Sequence, residues 1–123
     1  MTADWLEVAT QQLVAQYGSV PPPWVPYPEF HPYSAFWRMG GGEGHIMVFS
    51  AWWQAQDFDE AEAVSYFHRW PPPAAWLEWM IDAIWNPGDS EDFDATPYFE
   101  RVEELGFGSQ ADYERDLDDS RWE

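Results

Sequence analysis

Six prolines fall within twelve residues: Pro21, Pro22, Pro23, Pro26, Pro28 and Pro32. Each lacks a backbone N–H and holds φ near −65°, so neither a helix nor an interior strand runs through this segment. Pro71-Pro72-Pro73 and Pro87 impose further breaks. The chain must therefore be assembled from short elements lying between these points.

The interrupted segment, residues 19–36, has its own order. Trp24, Tyr27, Phe30, Tyr33 and Phe36 recur every three residues. Polyproline II has three residues per turn, so an extended strap would align these rings along one face. At a rise of about 3.1 Å per residue the aromatic ridge would be about 37 Å long. It would either lie on a helical core or meet a partner.

Between the breaks, helical patterns dominate. Trp5, Ala9, Leu13 and Tyr17 lie four residues apart, with Leu6 widening the stripe, and predict a helix over 3–17. Thr2 suits its start and Gly18 its end. Gly40-Gly41-Gly42-Glu43-Gly44 reads as a flexible loop. Residues 45–56 favour helix, although the apolar run at 46–49 also suits a short strand. Asp57 with Glu60 has the spacing of a capping box for a helix ending before Pro71. Residues 74–85 carry only Glu78 and Asp82 as charges and predict a central helix. Thr96-Pro97 opens a helix reaching Leu105, and Ser109 with Asp112 caps a last one over 110–117. That last helix has a thin apolar stripe, Tyr113 and Leu117, and is expected to dock weakly.

These patterns predict an all-α single domain of five to six helices over residues 1–117, with the extended strap at 19–36. A mobile tail is expected at 118–123. The strand at 46–49 would make the class α+β instead. Ten Trp, eight Phe and six Tyr supply the bulk of a core.

Composition narrows the function. With no cysteine, disulfides, thiolate metal sites and cysteine catalysis are excluded. Residues 1–4 carry no basic run, so no leader is expected. No apolar run approaches the roughly 20 residues of a membrane span. Cytoplasm is the expected location.

Charge carries most of the functional signal. The net charge is −18, from 23 acids, five arginines and no lysine. Residues 1–53 contribute only −3 of it, and residues 54–123 contribute −15. Such a field repels nucleic acids and anionic membranes and attracts basic protein surfaces.

No nucleophile elbow, Walker loop or His-Glu-x-x-His pattern occurs. Glu78 and Asp82 share one helix face, as an acid/base pair would, but also as a solvated stripe would. Glu43, His45 and His68 are the residues from which a metal site would be drawn, without a spacing that demands one. The acidic loop at 89–94 lacks the glycine and glutamate of a calcium loop. No cofactor and no metal are expected.

The leading expectation is a non-catalytic acidic protein of the inhibitor or immunity type. It would neutralise a basic toxin, nuclease or nucleic-acid-binding protein by charge complementarity. Its contact residues would be Asp89, Glu91, Asp92, Asp94, Glu100, Glu103 and Glu104. An adaptor binding through the aromatic ridge is the first alternative. The second is a small enzyme or ligand-binding protein using Glu43, Glu78, Asp82 and histidines in an aromatic cleft.

Overall fold

The structure is a computed structural model and describes residues 2–39, 41–86, 94–119 and 122; the side chains of residues 2–4 and 39 are not described. Among these residues the fold is all-α, with seven α-helices and one 3-10 turn. The backbone contacts cluster into two units, Met1–Phe58 and Asp59–Glu123.

The first unit contains α1 (Thr2–Tyr17), α2 (Phe36–Met39) and α3 (Gly41–Gln56), with α3 packed on both other helices. Helix α1 ends as its glycine predicts. Gly18 takes φ 87° and its N–H reaches the Val14 carbonyl at 2.8 Å. Along α1, Leu6, Ala9, Leu13 and Tyr17 are half-buried, while Trp5, Val8 and Val14 are exposed. Residues 46–49 lie inside α3, so the strand alternative does not form.

The glycine-rich stretch is not a loop. Gly41, Gly42 and Gly44 belong to the first turns of α3. The reason is packing. A Cβ on Gly42 would lie 2.5 Å from Cε3 of Trp37 and 2.7 Å from the Phe36 ring. The missing side chain lets these two rings lie against the α3 backbone, and this close approach outweighs the poor helix propensity of glycine.

The proline segment is non-helical, as expected, but it is not one straight strap. Val25 N–H bonds to the Pro22 carbonyl at 3.1 Å, and Tyr27 N–H to that of Pro23 at 3.3 Å. These turns fold the chain back. The Tyr27 and Phe36 rings, which a polyproline II helix would separate by about 28 Å, have centroids 5.0 Å apart. Phe30 stacks on Phe36 at 3.7 Å. The predicted ridge is therefore a ring cluster, with Trp24 buried and Tyr33 exposed. Val20 to Trp24 are buried.

The second unit contains α4 (Glu60–Arg69), a 3-10 turn (Ala74–Trp76), α5 (Leu77–Trp85), α6 (Thr96–Glu104) and α7 (Gln110–Leu117). The capping box of α4 is Asp59 with Glu62, not Asp57 with Glu60. Asp57 instead takes a left-handed φ of 51° just after α3. Helix α5 is central, as its apolar girth predicts, packing on α4 and α6. Trp76, Leu77, Met80 and Ile81 are fully buried. On α6, Phe99 and Val102 face inward.

Helix α7 is docked more firmly than its thin stripe suggests, because polar groups supply the anchoring. Its capping box is the expected Ser109 with Asp112. The buried Tyr113 donates its hydroxyl to Glu78 on α5 at 2.5 Å. Asp116 accepts the Ala75 N–H at 2.9 Å. In the tail, Trp122 donates its indole N–H to the Asp116 carbonyl at 2.7 Å.

Two glycine variants test the packing account of α3. Gly42→Ala is expected to cost about 1–3 kcal/mol by overpacking. Gly44→Ala, whose Cβ meets nothing within 4 Å, is expected to gain about 0.5–1 kcal/mol from helix propensity. Urea unfolding of both proteins checks the opposite signs.

For α7, Tyr113→Phe keeps the ring and removes the bond to Glu78. It is expected to lose about 1–2 kcal/mol in the same measurement. An unchanged unfolding midpoint would show that the hydroxyl contributes nothing to docking.

Candidate functional site

A cleft of about 340 Å³ lies in the first unit between α1, α3 and Tyr27. Its volume falls within the range of small-molecule sites. Trp5, Ala9 and Leu13 of α1 form one wall, and Val48 of α3 lies opposite. Gln12 and Gln16 add amide groups along α1. Gly41 and Gly44 leave room where side chains would project.

The helical periods explain this lining. Trp5, Ala9, Gln12, Leu13 and Gln16 are spaced by three and four residues and share one side of α1. Gly41, Gly44, His45 and Val48 do the same on α3. Tyr27 reaches the cleft because the proline turns bring it onto this unit. Its ring meets Phe36, Trp37 and His45 edge-on, at 5.0, 5.9 and 6.1 Å.

His45 is the polar centre of the cleft. It is only 8% exposed. Its Nε2 lies 2.9 Å from the Pro21 carbonyl. A carbonyl only accepts, so Nε2 carries the proton and Nδ1 of the neutral ring is an acceptor. Burial holds the imidazole below its ordinary pKa, with the Pro21 bond opposing. The ring is thus neutral at neutral pH. Among the described lining residues no side chain is charged at that pH, in a chain of net charge −18.

A larger hollow, about 450 Å³, occurs in the second unit. Its carboxylates are already engaged. Asp112 accepts the Ser109 N–H and pairs with Arg115, and Asp116 accepts the Ala75 N–H. The Asp112 carboxyl is held below its usual range, first by that backbone bond. These are the bonds that cap and dock α7, and they account for the residues without a ligand.

The sequence-derived candidates are dispersed. Asp89, Glu91 and Asp92 lie outside the described residues. Asp94 is exposed and accepts the Thr96 N–H at 3.0 Å, which lowers its pKa. Glu100, Glu103 and Glu104 are exposed on α6. Arg101 lies in the same strip and pairs with Glu104 at 3.5 Å and with Glu60 at 3.2 Å.

Glu78 is bound by Tyr113, while Asp82 is exposed on α5. Glu43 is exposed, and His68 stacks on Phe107 at 4.6 Å with Nε2 2.9 Å from the Leu105 carbonyl. Among the described residues no three His, Asp or Glu side chains group to hold a metal ion. Likewise, no helix is long and apolar enough to cross a membrane.

Trp5, Gln12, Gln16, Gly44 and Val48 were not legible as site residues. The four-residue stripe of α1 signalled a buried face, and three of its residues, Trp5, Ala9 and Leu13, border the cleft. His45 was visible as a possible metal ligand and, with the other histidines, as a candidate for an aromatic cleft.

His45 also sets a pH dependence. Its folded pKa is depressed from 6.5, so the unfolded chain takes up a proton where the folded chain does not. The contribution is fully present above pH about 6.5 and is lost as pH falls below it. The unfolding free energy of wild type relative to His45→Gln is expected to fall between pH 7.5 and 5.5. Denaturant titrations at both pH values check this, and a constant difference would contradict it.

No protein-family model matches the chain, and neither the curated proteins nor the solved structures yielded a match.

Proposed function

We propose that the chain is a non-catalytic binding protein whose ligand site is the aromatic cleft of the first unit. The observation that carries this reading is the lining itself. A buried, neutral, oriented imidazole lies beside Trp5, Leu13, Tyr27 and Val48 in an open cleft of about 340 Å³ whose lining is both polar and apolar. A few polar groups set among aromatic and aliphatic side chains are a usual composition of a small-molecule site.

The ligand has an apolar body and no negative charge, because no described lining residue is a lysine or arginine that would pair with an anion. Among the described lining residues, His45 and Tyr27 are the only ionisable side chains. This composition favours binding over acid/base chemistry, which relies on matched titratable groups.

The electrostatic inhibitor reading draws on the exposed carboxylates of α6. It has less support, since Arg101 lies among them and pairs with Glu104 there and with Glu60 of α4. The docking of a basic protein there would add to the cleft's role without using it.

Benzyl alcohol is a suitable neutral probe. In ¹⁵N NMR titrations it is expected to shift the amides of Leu13, Gly44, His45 and Val48. Gly44→Leu places a side chain where the wild type has open space, and it is expected to abolish these shifts while the fold persists. Shifts centred elsewhere, or unchanged in Gly44→Leu, would remove the cleft as the site.

A further inference from the structure

Resting on the reading of the cleft as a ligand site, we infer that its preferred ligand class is a small organic cation of the quaternary ammonium type. Two aromatic rings line the cleft, the indole of Trp5 and the phenol ring of Tyr27. Trp5 is 44% exposed, so its ring surface is open to a ligand. Indole is the strongest of the aromatic side chains toward a cation held over its face, because its quadrupole presents negative density there.

The remaining polar groups agree with a cation. Gln12 and Gln16 bring uncharged amide groups to the lining, and His45 is a neutral imidazole whose Nε2–H donates to the Pro21 carbonyl. None of these repels positive charge. Arg38, the one arginine or lysine of the first unit, is not among the residues that line the cleft.

Quaternary ammonium groups are favoured over hydrated ammonium groups by the absence of a carboxylate. No Asp or Glu among the described lining residues stands ready to replace the hydrogen bonds that a primary amine loses on desolvation. A trimethylammonium group has no N–H to satisfy, and its methyls suit the walls formed by Leu13 and Val48. The first unit itself, with five carboxylates against Arg38, adds a weaker attraction of the same sign.

Choline and its uncharged isostere 3,3-dimethylbutan-1-ol separate charge from shape. Both are to be titrated into the full chain at 150 mM salt, with affinity read from the amides of Gly44, His45 and Val48. Choline is expected to bind at least about threefold tighter than the alcohol. In Trp5→Leu, which replaces the ring by an aliphatic side chain, this advantage is expected to fall markedly while the alcohol still binds.

Equal binding, or tighter binding of the alcohol, would overturn cation preference and leave the cleft reading intact. A choline advantage undiminished in Trp5→Leu would overturn the role of the ring. If neither compound nor benzyl alcohol moves these amides, the cleft reading itself fails and the cation inference fails with it.

Discussion

The rings of Phe36 and Trp37 lie directly on the backbone of α3 because Gly42 has no side chain to hold them off. Much of the first unit follows from that contact. It seats α2 against α3 and brings the end of the proline segment to the helix. Tyr27 is then held by Phe36 and Trp37 on one side and meets His45 on the other. The Pro21 carbonyl, at the other end of the segment, orients the same imidazole. One close approach of ring to backbone thus positions a tyrosine and a histidine at the edge of a cleft.

The acidity of the chain serves several structural purposes at once. Asp59 and Asp112 take part in capping boxes, where a carboxylate meets unsatisfied N–H groups at the positive end of a helix. Glu60 accepts from the Trp85 indole and from Arg101, which join α4 to α5 and α6, and its carboxyl pKa is lowered mainly by the indole bond. Glu78 and Asp116 anchor α7. A high negative charge is therefore not equivalent to a free negative surface. The carboxylates that remain exposed on α6 share their strip with Arg101. The cleft differs in kind, since none of its described lining residues is an Asp, Glu, Lys or Arg.

Periodicity carried the helical class, because apolar residues at three- and four-residue spacing have few other ways to be buried together. Glycine and proline stops carried most ends: Gly18 and Gly106 take positive φ, and Asn86 closes α5 in a left-handed turn. Errors arose where two local readings competed. Asp57 and Asp59 both offer a cap for the helix that follows, and only the path of the chain leaving α3 selects Asp59. The glycine run resembled a loop because propensity ignores packing. The three-residue ring repeat resembled a polyproline II ridge, but the turns at Pro22–Tyr27 redirect the chain and collapse the repeat into a cluster.

The amino-acid sequence by itself determined the helical class, the breaks at the prolines, the lack of cysteine chemistry and the lopsided acidity. Each of these is a local or compositional property, set by backbone geometry, hydrophobic period or side-chain chemistry. Tertiary structure alone decided which side of α1 borders a cleft, that Glu78 and Asp116 anchor α7, and that His45 meets Pro21 across 24 residues of chain. Those outcomes depend on which surfaces approach one another. A sequence pattern describes each surface separately, and the fit between them appears only when the chain has folded.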